Sequence, residues 1–295
     1  QTIVPERLVS INQTNRIKQL ERFSLSYNEF EKLAKVAERE NILFLSTPFD
    51  IESARFLEPL VPAFKIASSD NTFYPLIEEI ASTGKPIIIS TGLANLNDIV
   101  KTRDYIYRIW GKEGGQQEMA FLHCVSCYPT PPSDANLLAI RSLKQLGTTV
   151  GYSDHTLGID AAVLSVALGA RIIEKHFTLD KNFSDYRDHS LSADPTELAL
   201  LIKKVKTAET LLGNGGKHLE DCEAGNVELI RRSIVACDYL EKGTVITWEH
   251  LNWVRPGYGL SPGNEEQLIG KRLKQSMKQG EMILPDHVKP IEDSK

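Results

Sequence analysis

The sequence predicts an α/β fold, a (β/α)8 TIM barrel that lacks its first one to two strands and is followed by a small second domain. Two observations lead to this prediction. Apolar segments of strand length alternate with helix-like segments in six successive units, a pattern typical of a parallel sheet covered by helices. Polar residues follow directly after these strands, as they do at the catalytic face of a (β/α)8 barrel.

Apolar spacing and cap residues predict the individual elements. Residues 1–24 are polar and predict a loop with a short helical piece. Residues 26–41 predict a helix, because apolar residues recur at helical spacing and Ser26 with Glu29 forms a capping box. The predicted strands cover residues 42–49, 64–68, 86–91, 119–125, 149–155 and 171–177. The helices predicted after them cover residues 50–60, 73–83, 95–110, 134–146, 158–169 and 194–212.

Six units do not close a barrel of eight strands. Either the sheet is open or two units precede Gln1, and the absence of an initial Met favours the second interpretation. The barrel domain is predicted over residues 1–213, and the Gly-rich, charged segment that follows predicts a linker over 214–230. Residues 231–292 contain short apolar runs separated by turns, which indicate a compact second domain. It is small for independent stability, so we expect it to dock on another surface.

Composition and charge exclude several classes of function. The chain is 41% hydrophobic and 25% charged, as globular proteins are, and its net charge of −5 gives no electrostatic support for nucleic-acid binding. No membrane span and no secretory leader are apparent, so a cytoplasmic protein is expected. Of the four cysteines only Cys124 and Cys127 are close in sequence. One such pair is weak evidence for zinc, and reduced thiols are the simpler interpretation.

Two histidines close neighbouring predicted strands, with one helix between them. Alternation places Ser153 and His155 on one face of their strand, and Glu174 and His176 on one face of the next. If both faces point the same way, two imidazoles lie side by side and can hold a divalent cation. The alternative is that each histidine is an ordinary residue at a strand end with a local hydrogen bond.

The same alternation turns Lys65, Ser90 and Ser153 toward the predicted barrel mouth. A lysine between apolar neighbours is costly to bury without an anion, so these three side chains predict a phosphate-binding site. The alternative is a structural salt bridge between Lys65 and a carboxylate such as Glu174. Arg255 lies in a loop shaped by glycines and prolines and suits carboxylate or hydroxyl recognition, although a solvated surface arginine is the alternative.

Six motifs are distinctive in combination: residues 65–70 (KIASSD), 86–92 (PIIISTG), 123–131 (HCVSCYPTP), 151–156 (GYSDHT), 174–178 (EKHFT) and 255–260 (RPGYGL). In this order they resemble the sialic acid synthase family, which includes neuraminic, legionaminic and pseudaminic acid synthases and related spore-coat polysaccharide enzymes. The resemblance covers nearly the whole chain. It implies a (β/α)8 barrel followed by an antifreeze-like (SAF) domain.

The resemblance also implies the chemistry. Phosphoenolpyruvate would condense with an open-chain N-acyl amino sugar of the N-acetylmannosamine type, giving a nine-carbon 2-keto sugar acid and phosphate for glycan biosynthesis. A divalent cation, Mn²⁺ first and Mg²⁺ or Co²⁺ as alternatives, would be held by His155 and His176 and would polarise the sugar aldehyde. The competing hypotheses are another phosphoenolpyruvate-dependent keto-acid synthase and a non-catalytic carbohydrate-binding protein with a decayed barrel.

Further site residues are carried over from the matching motifs. The resemblance gives phosphoenolpyruvate-binding positions to Lys65, Ser90 and Ser153, with Ser68 nearby as a further substrate-binding residue. It gives sugar-contacting positions to Asp70, Tyr128 and Asp188, and it counts Asp70 and Lys65 with the two histidines as catalytic. Asp70 stands where many members have Glu, and Ser126 where some have Asn, so recognition of the N-acyl group is expected to differ. Arg255 would enter the barrel of the other subunit, which implies a domain-swapped homodimer.

The beginning of the chain also differs from the family pattern. Family members begin with a strand bearing a glutamate motif, then a helix, then a strand that ends Lys-Phe-Gln, and Gln1 matches the last residue of that strand. The first strand and most of the second are therefore expected to be missing. Two sheet edges would then be exposed, so these 295 residues alone are predicted to be inactive and poorly soluble.

Overall fold

The computed structural model describes residues 24–113, 118–184 and 187–291, and it divides into two compact units, Gln1–Gly213 and Asn214–Lys295. The segment predicted as a loop with a helical piece, residues 1–24, lies almost entirely outside the described residues. The strands of the first unit are Phe64–Ile66 (β1), Ile87–Ser90 (β2), Met119–Cys124 (β3), Thr149–Asp154 (β4) and Ile172–Lys175 (β5). Its helices are Tyr27–Arg39 (α1), Ile51–Leu57 (α2), Tyr74–Ala81 (α3), Leu96–Glu113 (α4), Ala139–Lys144 (α5), Asp160–Ala167 (α6), Arg187–Leu191 (α7) and Pro195–Leu212 (α8).

The five strands form one parallel sheet in the order β1-β2-β3-β4-β5. In a flat sheet the edge strands β1 and β5 would lie roughly 19 Å apart, at about 4.8 Å per strand spacing. Yet Lys65 Nζ of β1 lies 3.3 Å from Glu174 Oε2 of β5. The sheet is therefore curled into a half-barrel whose inner face includes both side chains. This confirms the α/β class and the parallel sheet of the prediction.

The outer face of the sheet carries the core of this unit. Phe64 and Ile66 of β1 and Ile87 and Ile89 of β2 are fully buried in a cluster with α3, α4 and α5 residues. Lys65 lies between two of them in sequence and faces the other way, as alternation requires. Burial of each such side chain contributes about 1.5–3 kcal/mol, so the outward residues hold the strands while the inward ones remain available for binding.

The predicted strand over residues 42–49 is wrong. In the described part of the chain this segment pairs with no strand. Phe44 packs edge-on against Phe30 of α1, at 6.5 Å between ring centroids, while Ile42 and Leu43 are exposed. The residue types favour a strand, but a strand also needs a hydrogen-bonding neighbour, and β1 has only β2 among the described residues.

The other five predicted strands are present, each shorter than predicted. His155 and His176 consequently lie just after β4 and β5 rather than inside them. The α1 prediction is confirmed, with the capping box between Ser26 and Glu29 in place. Helix α7 was not predicted. No helix among the described residues is long and apolar enough to cross a membrane.

The second unit contains short helices Asp221–Ala224 (α9) and Val227–Ile230 (α10) within the predicted linker. Two antiparallel pairs follow: Ser233–Ala236 (β6) with Leu251–Val254 (β7), and Arg272–Leu273 (β8) with Val288–Lys289 (β9). Ten buried apolar side chains form its own core. A 3-10 helix, Trp248–His250, leads into β7.

Candidate active site at the carboxyl ends of the strands

Two histidine rings meet where β4 and β5 end. The ring centroids of His155 and His176 lie 5.2 Å apart, and the ring of Tyr128 packs 4.2 Å from His155 and 5.8 Å from His176. His155 Nδ1 is 2.9 Å from the Val125 carbonyl oxygen, which accepts its hydrogen bond. That bond fixes the proton on Nδ1 and leaves the Nε2 lone pair available to a ligand.

This arrangement fits a divalent cation held by two imidazoles, with substrate or water at the remaining positions. Across residues 24–113, 118–184 and 187–291, no group of three or more His, Cys, Asp or Glu residues has a metal-binding arrangement. His155 and His176 are therefore a candidate pair of ligands rather than part of a larger cluster among the described residues. The role of His155 and His176 as metal ligands stays a prediction.

The two imidazoles differ in their pKa. Burial lowers the pKa of His176, and the neighbouring His155 lowers it further, against the opposing charges of Asp188 and Glu174. Burial also disfavours the charged form of His155, but its contacts with the Cys124 thiol and the Val125 carbonyl outweigh burial and raise its pKa. The lowered pKa of His176 favours the neutral form that binds metals, whereas the raised pKa of His155 favours the protonated form, which loses its proton when a metal binds.

Lys65 lies on the inner face with two kinds of partner. Its Nζ donates to Ser90 Oγ at 2.8 Å and to the Ile66 carbonyl at 3.0 Å, and it lies 3.3 Å from the Glu174 carboxylate. The salt bridge left open by the sequence is thus present together with the serine contact. Glu174 is 45% exposed, so its attraction is screened by water and an anionic ligand can compete for the ammonium.

The hydroxyl groups of Ser68 and Ser126 lie close together around Gly92, which follows β2. The Gly92 N–H donates to Ser68 Oγ at 3.1 Å, and Ser68 Oγ lies 3.4 Å from Cys124 Sγ. A Cβ at Gly92 would lie 2.3 Å from Ser126 Oγ and 2.7 Å from Ser68 Oγ, so a larger residue there would displace both hydroxyl groups. Ser126 Oγ is buried without a hydrogen-bond partner among the described residues.

Ser153, Asp70 and Asp188 are the other residues of the first unit predicted for the site. Ser153 is buried and pairs in register with Cys124. Asp70 ends the 3-10 helix Ser68–Asp70, where its carboxylate accepts a hydrogen bond from Ser69 at 2.8 Å. Asp188 lies in α7, near enough for its charge to act on His176.

Arg255 belongs to the second unit, where it is exposed. Ser233 Oγ donates to the Pro256 carbonyl at 2.7 Å and accepts from the Gly259 N–H at 2.8 Å. The loop that carries Arg255 is therefore held by β6 of the same unit.

Sequence reasoning missed two charged residues, Asp154 and Lys175. They form a buried ion pair at 2.8 Å, with 0% and 4% of their side chains exposed. Each directly precedes one of the histidines, so alternation turns it to the outer face. The sequence does contain a pattern that indicates this pair, because residues of opposite charge occupy equivalent positions in two neighbouring strands. Cys124 was also missed as a neighbour of His155, at 3.8 Å from Nδ1.

Comparison with known proteins identifies the family. Residues 6–217 match the NeuB family, and residues 231–289 match the SAF domain. The chain belongs to the NeuB family. It is 38% identical to the N,N'-diacetyllegionaminic acid synthase of Campylobacter jejuni over 92% of this chain and 81% of that protein. It is 34% identical to human N-acetylneuraminate-9-phosphate synthase, over 89% of this chain and 72% of that protein.

A solved structure gives the same result for the NeuB fold. The N-acetylneuraminic acid synthetase of Leptospira borgpetersenii, in complex with citrate, superimposes with a TM-score of 0.69 at 34% identity, covering 76% of each chain. The family resemblance inferred from the six motifs is confirmed, as is the SAF domain. This NeuB chain is an enzyme of the sialic-acid-type synthase family.

Proposed function

We propose that this protein condenses phosphoenolpyruvate with an open-chain N-acyl amino sugar, giving a nine-carbon 2-keto sugar acid and phosphate. One observation carries the proposal: Lys65 with Ser90, and the paired rings of His155 and His176, share the inner face of one half-barrel. An ammonium beside a hydroxyl suits an anion such as phosphoenolpyruvate. The sugar-acid synthases among the relatives support the same reaction class.

The chain's own residues bind and orient the two substrates. Lys65 Nζ and Ser90 Oγ would donate hydrogen bonds to the phosphate or carboxylate of phosphoenolpyruvate, in place of the weak contact with Glu174. Tyr128, with its ring against both histidines, would cover one side of the sugar. A divalent cation held by His155 and His176, with Mn²⁺ as first choice, would supply Lewis acidity at the aldehyde oxygen.

The reaction balances with one water molecule. A carbon–carbon bond forms between C3 of phosphoenolpyruvate and the aldehyde carbon, and the aldehyde oxygen gains a proton. Water supplies a hydroxyl group, phosphate leaves, and C2 becomes the ketone of the product. The charge of Lys65 would lie beside the anionic groups of the substrate, where it would stabilise the negative charge that the phosphate carries as it leaves.

A domain-swapped homodimer is part of the proposal, with Arg255 acting in the site of the partner. Its exposure and the Ser233-anchored loop support a recognition role. Co-expression of Arg255→Ala with His155→Ala/His176→Ala tests it. In the mixed dimer one site then combines intact histidines with the intact Arg255 of the other chain, so activity returns. Activity that stays absent in the mixed dimer would show that Arg255 acts within its own chain, and an active Arg255→Ala homodimer would show that Arg255 has no role in the reaction.

The direct test of the reaction supplies the full-length enzyme with phosphoenolpyruvate, Mn²⁺ and a panel of N-acyl amino sugars, both mono- and di-N-acylated, and identifies the product by mass spectrometry. We expect a nine-carbon keto acid and an equal amount of phosphate. A seven- or eight-carbon keto acid would instead identify another phosphoenolpyruvate-dependent synthase. Failure to bind Mn²⁺ together with no product from any sugar would favour a non-catalytic carbohydrate-binding protein.

A further inference from the structure

The buried ion pair stands in a fixed relation to both histidines. Asp154 and Lys175 are direct partners in the β4–β5 ladder, and the next residue along each strand is a histidine. Their side chains point to the outer face, where they are 0% and 4% exposed. The two strand ends that carry the imidazoles are thus joined by one salt bridge, directly behind the mouth.

Thr156 extends this contact past His155. Its N–H and its hydroxyl donate to Asp154 Oδ1 at 2.8 and 2.7 Å, and its carbonyl accepts from Lys175 Nζ at 2.6 Å. The residue before His155 is therefore part of the ion pair, and the residue after it is hydrogen-bonded to both members of the pair. On the other strand, the backbone carbonyl of His176 accepts from Ala193 N–H at 2.7 Å.

The network is a costly way to gain stability alone. Removing two charges from water offsets most of their attraction, and well-packed apolar residues often replace a buried ion pair without loss of stability. The ion pair does, however, fix the distance between the ends of β4 and β5 and their orientation relative to each other. Metal ligands must match their ideal distances to within about 0.2 Å, so two ligands on separate strands need such a constraint.

We propose that Asp154 and Lys175 are positioning residues, which hold His155 and His176 at the separation at which both bind one divalent cation. This inference rests on the proposed function, because it takes the two histidines as the metal ligands. The ion pair touches neither substrate nor cation. It acts through the backbone of the two strand ends and through Thr156.

The test is direct Mn²⁺ titration by calorimetry in the absence of substrates. The variant is Asp154→Asn/Lys175→Met, which removes both charges together and leaves no unpaired charge buried. Asn can still accept the hydrogen bonds of Thr156. The matched control is Lys85→Met, because Lys85 bonds to the Glu58 and Val61 carbonyls before β2, at the opposite end of the sheet. Thr156→Val is a milder second variant, which removes only the hydroxyl bond to Asp154.

We expect the double variant to bind Mn²⁺ about 10- to 100-fold more weakly, the usual effect of changing residues that orient metal ligands. Thr156→Val should bind it a few-fold more weakly, and Lys85→Met as the native protein does. The visible spectrum of bound Co²⁺ should shift in the double variant, which a loss of stability alone would not cause.

Native Mn²⁺ affinity and an unchanged Co²⁺ spectrum in both the double variant and Thr156→Val would overturn the inference and leave the proposed function standing. If the double variant does not fold, the affinity of Thr156→Val decides. A native protein that binds neither cation would overturn this inference together with the metal site of the proposed function.

Discussion

The two faces of the sheet at the ends of β4 and β5 carry polar side chains in contrasting states. On the inner face, Lys65 has a screened carboxylate partner, and no described residue hydrogen-bonds a ring nitrogen of His176. On the outer face, Asp154 and Lys175 are enclosed and paired with each other and with Thr156. Polar groups whose partner is exposed and replaceable are suited to ligands, and buried groups with saturated hydrogen bonds are suited to fixing geometry. Substitutions on the inner face should therefore lower activity with little loss of stability, whereas single substitutions on the outer face should lower the free energy of unfolding.

The largest effect is expected from His155→Ala/His176→Ala on the inner face. Loss of both imidazoles should lower product formation by about 10³-fold or more, the scale at which electrostatic stabilisers act in catalysis. The melting temperature should fall only modestly, through loss of the buried His155 ring and its hydrogen bond to the Val125 carbonyl. Phosphate release and a thermal melt measure the two quantities. A large fall in melting temperature would remove the contrast between the faces.

The second effect is on stability and comes from the outer face. Asp154→Asn leaves the ammonium of Lys175 buried without a carboxylate, so the free energy of unfolding should fall by about 3–5 kcal/mol. Lys65→Met on the inner face should cost less than about 1 kcal/mol, because its partner Glu174 is well exposed. Urea denaturation compares the two variants. Equal losses would mean that Lys65 forms a structural salt bridge after all.

The sequence predicts the residues of the inner face better than those of the outer face. Alternation and family motifs led to Lys65, Ser90, His155 and His176, because period-2 spacing and strand-end positions are local properties. Asp154 and Lys175 could not be singled out, since their pairing depends on the β4–β5 register.

The segment over residues 42–49 shows the reverse case. Its residue types favour a strand, yet pairing is a property of neighbours that the segment itself does not encode. Gly92 is another example, because the hydroxyl groups that crowd it belong to Ser68 and Ser126, in the segments after β1 and β3.

The third effect concerns substrate binding on the inner face. Lys65→Met should raise the KM for phosphoenolpyruvate about 10- to 150-fold, because it removes a charged hydrogen bond worth about 1.5–3 kcal/mol. Glu174→Gln is the matched control and should leave KM within about threefold, since it removes only a screened partner of Lys65. Steady-state kinetics with varied phosphoenolpyruvate measure both. A similar KM increase in both variants would place Glu174 itself in contact with substrate.

The smallest effect is expected in the second unit, where Glu265 is also a saturated carboxylate. Hydrogen bonds from its own backbone N–H, from Gly263 N–H and from the Trp253 indole lower the pKa of Glu265. The folded form thus has a lower pKa than the unfolded chain. Its contribution to stability is present above the unfolded value of about 4.3 and is lost as pH falls below it.

Acid titration of the second unit's unfolding checks this prediction. The native protein should lose stability as pH falls through about 4, and Glu265→Gln should be less stable at neutral pH with a flatter acid limb. Identical pH profiles for the two proteins would show that the lowered pKa of Glu265 does not contribute to the stability of the second unit.

Direct Mn²⁺ binding tests the central claim, that the inner face of the half-barrel is a metal-dependent catalytic site. Calorimetry of the native protein and of His155→Ala/His176→Ala, both at neutral pH and without substrates, is the measurement. We expect a single Mn²⁺ site in the native protein and none in the variant. Equal Mn²⁺ affinity in the two proteins would place the metal elsewhere and contradict this claim.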